Sequence, residues 1–160
     1  MRILGIDPGT AIIGFGVIDS QGGKRIFVDC GVITTPKTKP TPDRLLDIYT
    51  DINTIISEYQ PDETAIERLF FNHNVTTAID VAKASGVLNL AIVQRGLPIR
   101  EYTPVEVKTA VTGYGGADKK QVQYMITRIL DLKSVPNPDD AADALAVALC
   151  HSQASRLTRL

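Results

Sequence analysis

The sequence predicts an α/β fold: a mixed sheet, its first three strands antiparallel, with helices packed around it. Three observations predict it. Short apolar stretches broken by glycine and proline turns fill the chain as far as Ile33, the pattern of three strands joined by short connections. Apolar residues at helical spacing then alternate with brief β-type runs, giving the order βββ-α-β-α-β-α-α-α. Finally, 44% hydrophobic and 22% charged residues among 160 provide a core, and the length fits one domain.

The first strand is the run Ile3, Leu4 and Ile6, stopped by Asp7-Pro8-Gly9, where proline and glycine enforce a turn. Gly14 to Ile18 gives the second strand, ended by Gly22-Gly23, and Ile26 to Ile33 the third. A proline-rich loop from Pro36 to Pro42 carries Lys37 and Lys39. The next helix takes Thr41 as N-cap with Pro42 in its first helical position. Leu45, Ile48, Ile52, Ile55 and Ile56 keep the helical period to Tyr59, and Pro61 closes it. A strand over Glu63 to Glu67 precedes a long helix from about Val75 to Gln94. The strand Pro98 to Tyr102 leads into Thr103-Pro104-Val105-Glu106, the residue types of a capping box. A glycine-rich loop, Gly113 to Gly116, separates that helix from one over Asp118 to Leu132. The last helix starts at Asn137-Pro138 and runs through Ala144-Leu145-Ala146-Val147. The expected division is a single domain over 1–152 and a short C-terminal tail over 153–160.

A net charge of -1 means that any nucleic-acid surface must be local. Cys30 and Cys150 lack metal-type spacing and are expected reduced in the interior. The opening MRILGIDPGT has too short an apolar run, and acidic charge too early, for a secretory signal. No apolar stretch approaches membrane-spanning length. A soluble cytoplasmic protein without membrane contact is expected.

Four carboxylates carry the chemistry. Asp7 and Glu67 each end a strand, and open α/β sheets bind ligands at the carboxyl ends of their strands. If the first and fourth strands are neighbours, these two acids face each other. Asp140 and Asp143 lie three apart at the start of the last helix and share one face, where the helix N-terminus favours negative charge. Taken singly, each acid reads more readily as a turn former or a helix-start residue. Glu67 resists that reading most, because it ends an apolar strand and Leu69-Phe70-Phe71 follows one residue later. Converging on one point, three or four oxygen ligands suit Mg²⁺ or Mn²⁺. Two such ions activate a water and stabilise the departing oxygen in phosphodiester hydrolysis.

Several motifs stand in order along the chain: Ile6-Asp7-Pro8-Gly9-Thr10 with Gly14-Phe15-Gly16-Val17, then Ala65-Ile66-Glu67 followed by Phe70. Gln121-Val122-Gln123 and Asp140-Ala141-Ala142-Asp143-Ala144-Leu145-Ala146 complete the set. From about Arg2 to His151 the sequence resembles the RuvC family of Holliday junction resolvases. Asp-Pro-Gly alone is unspecific, since sugar-kinase and actin-like ATPases begin similarly; its combination with the distal Asp-Ala-Ala-Asp helix is specific. The resemblance implies an RNase H-like fold with a five-stranded mixed sheet. It implies a homodimer that makes symmetric, metal-dependent nicks in four-way DNA junctions during recombination and repair. A RuvA/RuvB-type branch-migration complex is the implied partner. Matched motif by motif, Asp7, Glu67, Asp140 and Asp143 become catalytic, metal-binding acids holding two Mg²⁺ (or Mn²⁺) ions. Phe70 matches the family aromatic that engages DNA near the junction centre, and Lys108 and Lys119 match lysines near the scissile backbone. Asp139 takes a helix-start role, the choice of Asp140 over it resting on the Asp-x-x-Asp spacing.

Between Arg95 and Lys133 stand seven basic residues (Arg95, Arg100, Lys108, Lys119, Lys120, Arg128, Lys133) against four acids (Glu101, Glu106, Asp118, Asp131). This local excess suits phosphate neutralisation. Arg128 and Lys133 read better as solvated helix faces. Lys108, Lys119 and Lys120 flank the glycine loop, which is expected to be mobile and to close on a DNA backbone. Of Phe70 and Phe71, at most one is easily buried, leaving the other to stack on a base. Tyr114, at the loop tip, is a second stacking candidate. His73 and His151 lack ligand spacing and are expected in structural or solvent-facing roles. Small residues over Ala82 to Gly86 permit a close helix contact. The competing functions are an RNase H-type nuclease on RNA–DNA hybrids, a junction-binding protein without catalysis, and an ATPase of the actin type, which needs two such lobes.

Overall fold

Strict alternation along the first strand divides the molecule. In the computed structural model, which describes residues 1–9, 11–69 and 75–157, β1 (Arg2–Asp7) turns Leu4 and Ile6 to one side and Ile3 to the other. Beside it lie β2 (Ile12–Gln21), β3 (Lys24–Thr34), β4 (Glu63–Glu67) and β5 (Ile99–Tyr102), in the sheet order β3-β2-β1-β4-β5. The pairs β1–β2 and β2–β3 are antiparallel, whereas β4 runs parallel to both β1 and β5. The five-stranded mixed sheet expected from the sequence is therefore formed.

Helices α1 (Thr41–Tyr59) and α2 (Val75–Gln94) bury Ile48, Ile52, Leu88 and Ile92 with Leu4, Ile6 and Ile66 on one face. On the other lie α3 (Pro104–Thr112), α4 (Lys119–Ile129) and α5 (Asp139–Leu157). Val107, Val111, Ile126, Leu145 and Leu149 pack there with Ile3, Ile18 and Ala65. The two layers of apolar side chains hold the sheet between them.

Helix α5 lies unusually close to the sheet because both surfaces are stripped of bulk. Ala141, Ala142, Ala144, Ala146 and Ala148 are buried on it. Opposite them, a Cβ on Gly14 would fall 1.9 Å from the Asp140 carbonyl oxygen, and one on Gly5 2.3 Å from that of Ala144. Any side chain at these positions would push the helix away. Their absence seats the first turn of α5 over the ends of β1 and β2.

Several local expectations are corrected. Thr41 does not cap α1; it is the first helical residue, and the cap position belongs to Pro40, with no side-chain cap hydrogen bond. Pro40, at φ -54° and ψ 145°, already turns the chain out of helix, so the boundary moves back one residue. β2 and β3 are longer than their apolar runs, because their ladder continues from Ile12↔Thr34 to Gln21↔Lys24 through a bulge at Val17/Ile18. Helix α5 continues as far as Leu157 and is tied to α3 by Gln153 Nε2 donating to the Ala110 carbonyl at 2.8 Å. The capping box on α3 is formed as expected, Thr103 Oγ1 accepting from Glu106 N at 3.2 Å. Both cysteines are free thiols, Cys150 buried and Cys30 partly so. Burial pushes the Cys150 thiol up to about 12. Among the described residues no helix is long and apolar enough to cross a membrane.

Candidate active site

The site begins with strand register. Ile6 of β1 stands opposite Ile66 of β4, so Asp7 and Glu67, one residue further along parallel strands, end side by side. Alternation puts both on the α5 face, in line with Gly5 and Ala65. Asp7 and Glu67 lie close enough to act directly on each other's ionisation. The close seat of α5 brings Asp140 and Asp143 over this pair, near enough for all three neighbouring carboxylates to act on Asp7.

The charges are mutually unfavourable. Burial first, then the carboxylates of Glu67, Asp143 and Asp140, push Asp7 up to about 8, with Lys119 opposing weakly. Glu67 is also raised, by burial and by Asp143, while its interaction with Asp7 and the charge of Lys108 pull it down. Burial raises Asp143 as well, against the nearby Lys119 ammonium. Burial and mutual repulsion thus disfavour the ionised forms of Asp7, Glu67 and Asp143.

Lys119, first residue of α4, answers part of this charge. Its Nζ lies 3.1 Å from Asp139 Oδ2 and 3.3 Å from Asp143 Oδ2. Partial burial works to lower its pKa, but bonding and attraction to the two acids outweigh that and hold it raised. Asp139 also accepts from Gln123 Nε2 at 3.0 Å. Lys108 and Lys119 line a cleft of about 270 Å³ with Glu67 and Asp143, over an apolar floor of Val107, Val122 and Ala146.

Acids without a thiolate or imidazole among them make an oxygen-donor set, which fits Mg²⁺ or Mn²⁺. A divalent cation would offset this repulsion and favour the ionised forms of Asp7, Glu67 and Asp143. Bound there, it would supply Lewis-acid charge and an activated water. Among the described residues no three acidic side chains close on a single ligand point. The expectation of full convergence is met only in part, and Lys119, engaged with Asp143, holds one carboxylate to itself.

Comparison with known proteins matches these features to one group. The family model described as crossover junction endodeoxyribonuclease RuvC matches residues 3–151. The RuvC of Chloroflexus aggregans is 55% identical over 152 residues, covering 95% of this chain and 93% of that one. The chain belongs to the RuvC family.

Solved RuvC structures agree. The Thermus thermophilus RuvC in complex with Holliday junction substrate superposes with a TM-score of 0.94 at 34% identity, over 99% of this chain and 96% of that one. The yeast mitochondrial Holliday junction resolvase, 15% identical with a TM-score of 0.67, shares the fold. The RNase H-like architecture expected from the sequence is the one observed.

Within this RuvC-family chain the basic and aromatic candidates separate. Lys108 and Lys119 stand at the acidic cleft, whereas Lys120 and Tyr114 line a second cleft on the far side of α4's first turn. Phe70, Phe71 and His73 lie outside the described residues. The loop between α3 and α4, expected to be mobile, is pinned: Thr112 Oγ1 accepts from Tyr114 N at 3.1 Å and bonds the Lys108 and Tyr114 carbonyls. Asp139 does stand at the helix start, but its partnership with Lys119 and Gln123 was not legible. His151 is structural, as expected, though its partners were missed. Its Nε2 lies 2.7 Å from Glu63 Oε2, and its Nδ1 2.8 Å from the Tyr102 hydroxyl. Since Tyr102 pairs with Glu67 across the ladder, this buried chain of bonds fixes β5 beside the acid-bearing end of β4.

Proposed function

We propose that this chain resolves four-way DNA junctions by divalent-metal-dependent hydrolysis of two phosphodiester bonds. The meeting of Asp7, Glu67, Asp140 and Asp143 at the carboxyl ends of β1 and β4, beneath Lys108 and Lys119, carries the reading. As a RuvC-family member the chain is an endodeoxyribonuclease. The four acids are the catalytic set and hold two Mg²⁺ ions per site, with Mn²⁺ able to replace them. Lys108 and Lys119 place positive charge where phosphate oxygens enter, a contact that stabilises charge developing in the transition state. Phe70, following the catalytic Glu67, engages DNA near the crossover, and Lys120 and Tyr114 extend the DNA-facing surface.

Symmetric nicking needs two copies. The exposed side of α2 offers a seam: Ile79, Leu90 and Val93 are 52%, 55% and 60% exposed. With Lys83 and Gly86 they follow spacings of four and three, the rhythm of a helix-pairing face. A Cβ on Gly86 would meet nothing within 4 Å, leaving room for a second helix to approach. An isologous homodimer through this face positions two acidic clefts about one two-fold axis. A RuvA/RuvB-type branch-migration complex is the partner that delivers the junction, in the cytoplasm.

A mobile four-way junction and an RNA–DNA hybrid, offered side by side in Mg²⁺, test the reading. Paired nicks in the junction with the hybrid left whole support it. Cleavage of the hybrid alone points to RNase H-type action, and binding without cleavage in any divalent ion leaves a binding module. The placement of all four acids within electrostatic reach of one another speaks against the last.

A further inference from the structure

The α3–α4 connection holds up an aromatic side chain. Tyr114 folds back across Gly116, where a Cβ would fall 2.5 Å from the tyrosine hydroxyl oxygen and 2.6 Å from Cζ. Glycine there lets the ring lie against its own loop, and the Thr112 hydroxyl fixes the backbone beneath. Although braced in this way, Tyr114 is 66% exposed. Tyr124, one helical turn beyond Lys120 on α4, is 62% exposed. Two large aromatics facing water on one small surface are not needed for the core.

These side chains share a cavity. Tyr114, Lys120, Gln121 and Tyr124 line a cleft of about 420 Å³, within the size range of small-ligand sites. Asp118, also at its wall, is engaged in capping α4, accepting from Gln121 N at 2.9 Å. Helix α4 joins this cleft to the acidic one: Lys119 turns to Asp139 and Asp143, and its neighbour Lys120 turns to the tyrosines. A strand leaving the acids past Lys119 therefore meets Lys120 next. Flat aromatic faces beside a cation suit one chemistry above others, a base stacked on a ring with its phosphate held by the ammonium.

We propose that this cleft takes one unpaired nucleotide of the DNA substrate, its base against Tyr114 and Tyr124 and its phosphate on Lys120. The inference rests on the junction-resolving function proposed above and adds a base-stacking subsite to it. Because every base has a π-face, the subsite tolerates any sequence and acts on strand path rather than on sequence choice.

Junctions carrying the fluorescent base 2-aminopurine at successive positions around the crossover, bound in EDTA so that they stay uncut, test it. The full-length protein is expected to change the fluorescence at one position within a few nucleotides of the crossover. Tyr124→Ala is expected to abolish that change and to weaken junction binding about fivefold or more, the loss of one base–aromatic stack, while Tyr124→Phe retains both. A thermal melt of Tyr124→Ala checks that the fold survives, as its exposure predicts. The proposal is overturned if no position responds, or if the response and the affinity persist in Tyr124→Ala. Failure of the unaltered protein to bind or cut any junction would instead remove the functional reading beneath it.

Discussion

Lys119 Nζ lies 3.3 Å from Asp143 Oδ2 while holding Asp139 at 3.1 Å, so one ammonium bridges a buried acid of the site and an exposed acid outside it. Asp139 thereby shares with Asp143 the one ammonium that both acids contact. Lys119→Met is expected to slow junction cleavage about 100-fold while weakening junction binding only a few-fold. Asp139→Asn leaves Lys119 to Asp143 alone, and Mn²⁺ binding, titrated without DNA, is expected to weaken several-fold. Unchanged Mn²⁺ affinity in that variant would show that Asp139 plays no part in placing the lysine.

Asp7 provides a pH test. Its carboxyl titrates near 8, well above the usual carboxylate range, because of burial and three neighbouring acids. A raised folded pKa means that the folded state binds the proton more tightly than the unfolded state. Its stabilising contribution is complete below about pH 4 and is lost as pH rises towards 8. The metal-free protein is therefore expected to melt at lower temperature at pH 8 than at pH 6, and Asp7→Asn to flatten that slope. Metal binding at pH 7 must displace the proton, so calorimetry in buffers of different ionisation enthalpy is expected to register proton release.

Gly14 tests the seating of α5. Its absent side chain leaves 1.9 Å between the ideal Cβ position and the Asp140 carbonyl oxygen, and a backbone atom cannot swing aside as a side chain would. Gly14→Ala is expected to destabilise the fold by about 3 kcal/mol, lowering Tm by on the order of 10 °C, and to abolish cleavage by lifting Asp140 and Asp143. A variant as stable and active as the parent would refute the close-approach account.

The α2 seam is tested by Leu90→Glu. Leu90 is 55% exposed in the single chain, so the change is expected to leave the monomer folded, within about 0.5 kcal/mol. Sedimentation is expected to show dimers for the parent and monomers for the variant, with loss of paired nicking. A variant that still sediments as a dimer would place the interface elsewhere.

Much of this fold was legible because its signals are local. The apolar run of Ile3 to Ile6 stopped by Asp7-Pro8-Gly9, the capping residues Thr103 and Glu106, and the Asp140/Asp143 spacing each act within a few residues. Asp7 and Glu67 were readable as neighbours only on condition that β1 and β4 pair, which sequence alone does not determine. Contacts between distant segments were not legible. Gly5 and Gly14 matter because Ala144 and Asp140 press on them across more than 120 residues of chain, and neither partner announces the other. The same holds for Glu63, His151 and Tyr102, which meet only once α5 lies across β4 and β5. Tyr114 read as the tip of a mobile loop because glycine-rich sequence does not show that Thr112 pins the backbone and Gly116 seats the ring.

The most direct measurement is cleavage of a mobile four-way junction by the parent protein and by Asp7→Asn, with Mg²⁺ and with EDTA. The account predicts paired, ligatable nicks from the parent in Mg²⁺ alone. It predicts none in EDTA, and a rate at least about 100-fold lower in the variant, roughly 3 kcal/mol of lost transition-state stabilisation. Nicking that persists in EDTA, or in Asp7→Asn at the parent's rate, would contradict the claim that these acids and a divalent ion carry the reaction.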